Sequence, residues 1–332
     1  MIETYGYARA GLLGNPSDGY FGKTLSFAMS NFRARVLLYP SGRLEIKPSK
    51  VDLPVFESLD DLYRITRWRG YYGGIRIIQA LIVRLLDYCR EQGIELPDRN
   101  FTLEYESTVP QRLGLGGSSA IITASLRALC RYYGLDIPLP VQANLALETE
   151  TRELNVPAGL QDRVVQAYQG LVYMDFSRDL MEARGHGNYE HMDPAVLPKV
   201  YVAYRTSLSE GTEVFHSNLR ERWNRGDPEV LSAMLMWASY AEEGRACLLA
   251  RNYARLDELI DANFDLRAKL YQIDRGNLEM VHTAREAGAT ANFAGSGGAI
   301  VGTYKDEAGY GRLAEAMGPI GVAVIKPKIV GG

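Results

Sequence analysis

The chain has 332 residues, 46% of them hydrophobic, and a formal net charge of −3. This length suits two domains of ordinary size, and the near-neutral charge excludes a general attraction to nucleic acid. No apolar run approaches the roughly 18 residues that span a membrane, and the first residues lack the pattern of a secretory signal. We therefore expect a cytoplasmic enzyme that binds neither nucleic acid nor membrane.

The cysteines and histidines show no spacing that is typical of a metal site. Cys89, Cys130 and Cys247 lie far apart, within runs that resemble buried helix faces. The four histidines form no His-x-x-x-His pair, so a zinc site is not expected. Unpaired buried cysteines are typical of a reducing compartment.

The first predicted strand, residues 5–13, ends in a polar turn. The turn reads Gly14-Asn15-Pro16-Ser17-Asp18-Gly19 and is dense in turn-forming residues. Arg9 lies inside the apolar strand, and Asp18 lies at the end of the turn. From its position alone, Arg9 could equally be an outward-facing strand residue. Asp18 could equally be an ordinary turn-forming residue.

Three short strands and a helix are predicted next. The strands are 23–29 and 34–38, which we interpret as a pair, and 43–47. Apolar residues at helical spacing predict a helix over 75–92. An aromatic cluster just before it is suited to stacking on a purine ring, although simple packing is the more ordinary interpretation. Its members are Tyr63, Trp68, Tyr71 and Tyr72.

The central feature of the sequence is a glycine-rich loop between a strand and a helix. An alternating run predicts a strand over 101–107, and apolar residues at helical spacing predict a helix that begins at Ser118 and Ser119. The loop between them reads Pro110-Gln111-Arg112-Leu113-Gly114-Leu115-Gly116-Gly117-Ser118-Ser119-Ala120. Glycines let the backbone approach an anion, and a helix start offers it unpaired amides, so the loop suits a phosphate group.

An ordinary glycine-rich turn with a serine cap is the alternative interpretation of this loop. The loop is not the common P-loop, because Ser118 stands where the lysine should follow the last glycine. It is not a Rossmann fingerprint either, because the Gly-x-Gly-x-x-Gly spacing fails. Ser118 or Ser119 would cap the helix and also reach a magnesium ion bound to phosphate.

Three glutamates and one aspartate follow the loop. The predicted helix 140–154 carries Glu148, Glu150 and Glu153, and such a charge run is usually a solvated face. The stretch Gly159-Leu160-Gln161-Asp162-Arg163 then leads into a helix over 163–168 and a strand over 171–176. Asp162 at a helix start is equally consistent with a simple N-cap.

The C-terminal part is predicted as an α+β sandwich with one antiparallel sheet. Polar residues 177–198 resemble a linker or a domain boundary, so we predict domains 1–185 and 186–332. A strand at 200–204 precedes a helical region, and a second glycine-rich turn at 292–302 lies between two strands. The helices are predicted near 211–225, 228–250, 254–273 and 277–287, with a last helix at 307–317 and a last strand at 321–326.

Three separated motifs resemble one enzyme superfamily. Pro110 with Gly114–Ala120 is similar to the ATP-binding motif of the superfamily of galactokinase, homoserine kinase, mevalonate kinase and phosphomevalonate kinase. Ala8–Asp18 resembles its N-terminal substrate motif, and Phe293–Ala299 resembles its third, C-terminal motif. All three occur in the right order across the whole chain.

Within that superfamily the chain most resembles the plant-type glucuronokinases. The similar stretches are Gly11–Asp18, Ser107–Pro110, Gly159–Val164 and Gly170–Phe176. The commoner superfamily motif Gly-Glu-His-x-Asp is here Gly14-Asn15-Pro16-Ser17-Asp18, which points away from galactokinase.

The resemblance implies a fold and a reaction. The fold is a two-domain α+β arrangement, with an N-terminal ribosomal-protein-like α/β domain and a C-terminal ferredoxin-like α/β sandwich. The reaction converts ATP and D-glucuronate to glucuronate 1-phosphate and ADP, in a protein that is a monomer or a homodimer. Another sugar kinase, such as a heptose-phosphate kinase, and a non-catalytic sugar-binding regulator are the alternatives.

The resemblance also implies the residues that bind ATP and Mg²⁺. Ser118 and Glu150 would hold the metal ion. Glu150 is preferred to Glu148 because it lies twelve residues before Asp162, as in galactokinase-like sequences. Glu148 lies about 200° from Glu150 around a helix of 3.6 residues per turn, so only one of them can line the site. The expected cofactor-binding residues are Pro110, Gly114, Leu115, Gly116, Gly117, Ser118, Ser119 and Ala120.

The remaining roles concern the sugar. Asp162 would accept the proton of the anomeric hydroxyl, or only orient that hydroxyl, and Arg9 would keep it ionised and stabilise the transferring phosphoryl group. Asp18 would bind sugar hydroxyls, and Lys23 or Arg163 would pair with the sugar carboxylate. The other expected substrate-binding residues are Asn15, Gly295, Ser296, Gly297 and Gly298.

Overall fold

The computed structural model describes residues 1–49, 73–206 and 219–331, and the aromatic cluster at Tyr63, Trp68, Tyr71 and Tyr72 lies outside them. The chain forms two compact units, each built from separated segments. Unit 1 comprises Met1–Gly6, Arg33–Thr108 and Gly117–Ala158, and unit 2 comprises Tyr7–Phe32, Val109–Gly116 and Gly159–Gly332. The domains 1–185 and 186–332 stay a prediction.

The first two strands are long, and each contributes residues to both units. Strand β1 covers Ile2–Leu13, and β2 covers Lys23–Pro40. The prediction of two strands at 23–29 and 34–38 is therefore wrong, because one strand covers both. Residues 30–33 between them contain no glycine or proline that would turn the chain. Instead Ser30 donates its backbone amide to the carbonyl oxygen of Lys328 at 2.8 Å.

Unit 1 places helices beside a small sheet. The second half of β2 pairs antiparallel with β4 (Phe101–Ser107), and β3 (Glu45–Lys47) pairs parallel with β4. The helices are α1 (Gly74–Glu91), α2 (Gly117–Tyr133) and α3 (Leu139–Glu148). Apolar residues recur at helical spacing along each helix and so form one face, which is buried. In α1 this face includes Ile78, Leu81 and Leu85.

The predicted helix 140–154 does not continue as one α-helix. Helix α3 ends at Glu148, and Thr149–Glu153 form a π-helical turn. The hydroxyls of Thr149 and Thr151 donate to the carbonyl oxygens of Leu145 and Leu147 at 2.8 and 3.0 Å. Such back-bonding competes with the regular amide ladder, which accounts for the wider turn.

Unit 2 contains two sets of paired strands. Residues 23–27 of β2 pair antiparallel with β5 (Leu171–Asp175), which pairs antiparallel with β6 (Asn188–Met192). The short helices α4 (Gln161–Tyr168) and α5 (Arg178–Arg184) flank β5 in the sequence. Residues 177–198, which resembled a linker or a boundary, thus contain a helix and a paired strand.

The second strand set of unit 2 is an antiparallel sheet of four strands. Its order is β10-β7-β9-β8, with β7 at Val200–Arg205, β8 at Asn292–Phe293, β9 at Ala299–Thr303 and β10 at Val322–Ile325. The helices of this part are α6 (Leu219–Asn224), α7 (Pro228–Leu249), α8 (Tyr253–Leu270), α9 (Arg275–Glu286) and α10 (Glu307–Met317).

The sheet and these helices enclose one hydrophobic core. Its fully buried members include Trp237, Phe264, Met280, Phe293 and Leu313. This arrangement confirms the predicted α+β sandwich with one antiparallel sheet. None of the described helices is both long and apolar enough to cross a membrane.

Candidate active site

Arg9 on β1 is the residue at which the predicted motifs of unit 2 meet. It is only 4% exposed. Its Nε and Nη2 donate to Oδ1 and Oδ2 of Asp162 at 2.6 and 2.7 Å. Its Nη1 donates to the carbonyl oxygens of Gly114 and Ala294 at 2.6 and 2.5 Å. One guanidinium thus joins the N-terminal motif to the glycine-rich loop, the third motif and the start of α4.

Asp162 lies in the first turn of α4 and is held ionised by two arginines. Burial alone opposes its charged form, but Arg9 and Arg163 outweigh that effect and hold the pKa of Asp162 below its ordinary value. The Nη1 atom of Arg163 lies 3.4 Å from Oδ2 of Asp162. At neutral pH this carboxylate therefore accepts hydrogen bonds and does not donate them.

Asp18 lies in the 3₁₀ turn Ser17–Tyr20 and contacts the same helix start. Its Oδ2 accepts from the backbone amide of Gln161 at 3.1 Å, and its Oδ1 accepts from Nε2 of Gln161 at 3.4 Å. Burial raises the pKa of Asp18 to about 6, and Asp162 adds to the rise, while the Gln161 amide and neighbouring arginines oppose it. The two carboxylates thus differ in pKa, with the lower value at Asp162.

Asn15 and Gly295 are also in contact. The Nδ2 of Asn15 donates to the carbonyl oxygen of Gly295 at 3.1 Å. Asn263 on α8 fixes this part of the chain, because its Oδ1 accepts from the amide of Gly14 at 2.8 Å and its Nδ2 donates to the carbonyl of Asn15 at 3.3 Å. The N-terminal turn and the third motif are therefore tied together by amide side chains.

The two glycine-rich loops touch inside unit 2. Gly114 has φ +61° and Gly298 has φ +77°, which favour glycine. A Cβ atom on Gly114 would lie 2.6 Å from the backbone nitrogen of Ser296. The backbone amide of Gly298 donates to Oδ1 of Asn277 at 2.9 Å. Gly297, between Ser296 and Gly298, has φ 134°. The close approach of the loops therefore leaves no room for a side chain at Gly114.

The remaining predicted ATP-binding residues lie at the loop and the start of α2. Pro110 is partly buried, and Gly117 is the first residue of α2. Leu115, Ser119 and Ala120 are buried, so only their backbone groups are suited to contact a nucleotide. Gly116 has φ +74°, and its carbonyl oxygen accepts from Nε2 of Gln166 at 2.8 Å.

Unit 1 contains the predicted metal pair. The Oγ of Ser118 donates to Oε1 of Glu150 at 2.6 Å, and Glu150 is only 4% exposed. Glu148 instead accepts from Nε of Arg84 at 2.7 Å. The two glutamates therefore have different partners, as their spacing predicts. Within the described part of the chain, no group of three or more His, Cys, Asp or Glu side chains is placed to hold a metal ion.

Lys23 and Arg163 already have acidic neighbours. The Nζ of Lys23 lies 2.8 Å from Glu242 and 3.6 Å from Asp175. Arg163 is buried, and its Nη1 donates to the carbonyl oxygen of Gly159 at 2.7 Å besides its contact with Asp162. Neither cation is therefore poised to pair with a further carboxylate.

Several residues that shape this site have no recognisable signal in the sequence. Asn263 lies inside α8 and Arg267 in its last turn, in a stretch without a recognisable motif, and Arg267 donates to the carbonyl of Gly295 at 3.0 Å. Gln166 fixes the loop at Gly116. Gln161 could have been predicted, because it lies next to Asp162 within a motif that the sequence analysis identifies.

Comparisons with known proteins decide the family. Residues 80–170 match the model of the GHMP kinases N terminal domain. The chain is 46% identical to probable glucuronokinase 2 of Arabidopsis thaliana over 309 residues, which is 91% of this chain and 84% of that protein. It is 44% identical to glucuronokinase 1 of the same plant over 306 residues, covering 90% of this chain and 84% of the relative. The chain belongs to the GHMP kinases.

A solved structure supports the same fold for this GHMP kinase. Lactococcus lactis galactokinase complexed with galactose superposes with a TM-score of 0.77 over 98% of this chain and 93% of that chain, at 15% identity. The predicted fold class is therefore confirmed. Family membership also confirms the predicted enzyme class, a phosphotransferase that uses ATP and acts on a hydroxyl group of a sugar.

Proposed function

We propose that the chain is a glucuronokinase, which transfers the terminal phosphoryl group of ATP to the anomeric hydroxyl of D-glucuronate. The observation that carries the proposal is the 46% identity to a probable glucuronokinase over 91% of the chain. The paired Arg9 and Asp162 support it, because a protein that only bound a sugar would have no need of this buried ion pair.

Asp162 would hold the anomeric hydroxyl and receive its proton. Each carboxylate oxygen keeps a lone pair beyond the one that Arg9 occupies. The lowered pKa makes Asp162 a weak base. In a loose phosphoryl-transfer transition state the attacking oxygen has formed little new bond, so orientation of the hydroxyl matters more than base strength. Asp162 therefore orients the hydroxyl first and takes the proton late.

Arg9 would act through Asp162. Its hydrogen bonds to Asp162, Gly114 and Ala294 use four of the five N–H groups of a guanidinium. Such a residue fixes the carboxylate in one orientation and keeps it ionised. Asp18 would accept hydrogen bonds from other sugar hydroxyls, most strongly above its pKa of about 6.

Ser118 and Glu150 would hold Mg²⁺, and the amides of residues 114–120 would bind the ATP phosphates. The donor set fits magnesium, which binds one or two protein oxygens and completes its shell with water and phosphate. The buried Glu150 carboxylate, bonded to the Ser118 hydroxyl, supplies such oxygens. When bound, the ion neutralises charge on the phosphate oxygens. Glycines and a helix start suit the phosphates themselves.

A sugar panel tests the proposal. The purified chain is incubated with ATP, Mg²⁺ and D-glucuronate, D-galacturonate, D-glucose, D-galactose or a heptose 7-phosphate, and ADP release is measured. We expect the highest kcat/KM with D-glucuronate, and phosphorus NMR should show an ester at the anomeric carbon. A higher kcat/KM with another sugar would replace the substrate and leave the enzyme class intact. Binding of sugar without ADP release would favour a regulator.

We also propose that the protein is cytoplasmic. Cys89, Cys130 and Cys247 are free and buried. Unpaired cysteines are typical of a reducing compartment, which supports this location.

A further inference from the structure

A sugar acid brings a negative charge into the site, and this inference rests on the proposed function. A carboxylate that leaves water needs a cation, and arginine is the best bidentate partner. Lys23 already pairs with Glu242, and Arg163 lies beside Asp162. Arg9 is occupied by Asp162. None of these three cations is left to pair with the carboxylate.

Arg267 on α8 is a buried cation of unit 2 without an acidic partner. It is 1% exposed. Its Nη1 donates to the carbonyl oxygen of Gly295 at 3.0 Å, and its side chain also hydrogen-bonds that of Tyr271, a neutral group. Among the described residues its Nε has no hydrogen-bond partner. No carboxylate of residues 1–49, 73–206 or 219–331 forms a salt bridge with it. By contrast, the half-buried Arg285 on α9 pairs with both Asp261 and Asp265.

The surroundings of Arg267 do not neutralise its charge. Its guanidinium lies 5.2 Å from the ring centre of Phe293 and 5.3 Å from that of Tyr271. Burial raises the pKa of Tyr271 to about 12, so this hydroxyl stays neutral. Burial also lowers the pKa of Arg267, yet a guanidinium does not lose its proton in proteins. A buried charge of this kind is costly until an anion joins it.

The residues next to Arg267 are those predicted to bind the sugar. The carbonyl of Gly295 accepts from Arg267 and also from Asn15. Asp18 is near enough to influence Arg267 electrostatically. Asn15 stands where the commoner superfamily motif has glutamate. A neutral amide at this position removes a negative charge that would repel a substrate carboxylate.

We propose that Arg267, together with Asn15, forms the subsite for the carboxylate of the sugar acid and thereby selects it over neutral sugars. The guanidinium supplies the positive charge, and the amide of Asn15 supplies a donor without adding a repelling charge. This arrangement explains why an arginine is buried here without an acidic partner. It also explains why neither Lys23 nor Arg163 needs to leave its neighbours.

The test compares Arg267→Met with Arg285→Met as a matched control. Kinetics are measured with D-glucuronate and with D-glucose, which has a hydroxymethyl group in place of the carboxylate. We expect Arg267→Met to raise KM for glucuronate by about 100-fold, the effect of a lost charge-assisted contact, with a smaller change in kcat. The kcat/KM for glucose should stay the same or rise. Arg285→Met should keep the preference of the parent.

A binding measurement separates the subsite from a structural role. Thermal unfolding of each protein is followed without glucuronate and with one fixed glucuronate concentration that saturates the parent. The variant Arg267→Met should lose the rise in Tm that glucuronate gives the parent, while Arg285→Met should keep it. If Arg267 only supports the Gly295 loop, Arg267→Met will lower the Tm without ligand yet keep the glucuronate preference, and that result overturns the proposal.

A second variant covers the case in which Arg267→Met does not fold. Arg267→Lys keeps the charge but loses the planar pair of donors. We expect a KM for glucuronate about 10-fold above that of the parent, whereas an unchanged KM overturns the subsite. Failure of the proposed function looks different, because then the parent itself does not phosphorylate glucuronate.

Discussion

Arg9 and Asp162 lie 153 positions apart in the sequence and form a doubly hydrogen-bonded ion pair, with distances of 2.6 and 2.7 Å. The side chains are 5% and 14% exposed. A pair this buried is costly to break, because the remaining charge is left without its partner. The same contact that orients Asp162 therefore also contributes to the stability of unit 2.

Replacing Asp162 by asparagine should impair activity and stability together. Asp162→Asn keeps the shape of the side chain but cannot accept the hydroxyl proton, so we expect kcat to fall by about 10²–10⁴-fold. It also leaves Arg9 buried without an anion, which should lower the free energy of unfolding by about 3–5 kcal/mol. Steady-state kinetics and urea denaturation check the two effects.

Glu190→Gln is the control for this variant. Glu190 also accepts two hydrogen bonds from one arginine, Arg245, at 2.7 and 3.0 Å. That pair is partly exposed, so its loss should cost about 1 kcal/mol or less and leave kcat unchanged. A normal kcat in Asp162→Asn would rule out the role assigned to this carboxylate.

The sequence located this pair because both members lie in local motifs. Glycine spacing and turn chemistry are properties of short segments, so they identify the stretches around Arg9, Gly114 and Asp162 without knowledge of the fold. The exact partners were not readable, because Arg9 also binds Ala294, which is 285 positions away. The resemblance to a superfamily supplied the expectation that these motifs act together.

What the sequence did not reveal depends on long-range packing. Arg267 lies in an ordinary helical stretch, and its burial follows from contacts with Phe293 and Gly295, which lie on other elements. The continuity of β2 is not readable because Ser30 and Asn31 interrupt its apolar pattern, whereas in the structure Ser30 is paired with Lys328 at the other end of the chain. Neither feature has a local signature.

Ser118 and Glu150 should set the magnesium requirement. Ser118→Ala removes an oxygen ligand, and Glu150→Gln removes the negative charge of one, so the free Mg²⁺ concentration for half-maximal rate should rise by about tenfold or more. The rate is measured against free Mg²⁺ at a fixed ATP concentration. Glu148→Gln is the control, because Glu148 binds Arg84 and should affect stability alone. An equal shift in Glu148→Gln would contradict the assignment of Glu150.

Asp18 should make stability depend on pH. Its ordinary pKa is 3.8 and its folded-state pKa is about 6, so the folded protein binds this proton more tightly than the unfolded chain. Its ionisation therefore lowers the free energy of unfolding as pH rises from about 4 to about 6. The contribution of Asp162 to the pH dependence of stability has the opposite sign, because its pKa is lowered in the folded protein and the stability it provides is lost as pH falls.

The Asp18→Asn variant isolates this effect. Urea denaturation of the parent and the variant is compared at pH 4, 5, 6 and 7, values that bracket the pKa shift of Asp18. Relative to Asp18→Asn, the parent should lose on the order of 2 kcal/mol between the two ends of the range. Parallel stability curves for the two proteins would show that Asp18 is not perturbed by burial.

Gly114 should tolerate no side chain, for a reason beyond its backbone angle. An alanine there would be strained at φ +61° and would also press its Cβ against the backbone of Ser296. Gly288 provides the matched comparison, because its φ is +84° and a Cβ there meets nothing within 4 Å. Gly288→Ala should cost about 1–2 kcal/mol of unfolding free energy for the angle alone. Gly114→Ala should cost a further 1–3 kcal/mol, roughly the effect of overpacking.

The same pair of variants tests whether the two glycine-rich loops must touch for activity. Gly114→Ala pushes the loop away from Ser296 and displaces the carbonyl that accepts from Arg9, so kcat should fall and KM for ATP should rise. Gly288→Ala should keep the kinetics of the parent, because Gly288 follows α9 in an open turn. Equal losses of stability in both variants, with unchanged kinetics, would mean that the angle alone matters and that the loop contact is not needed.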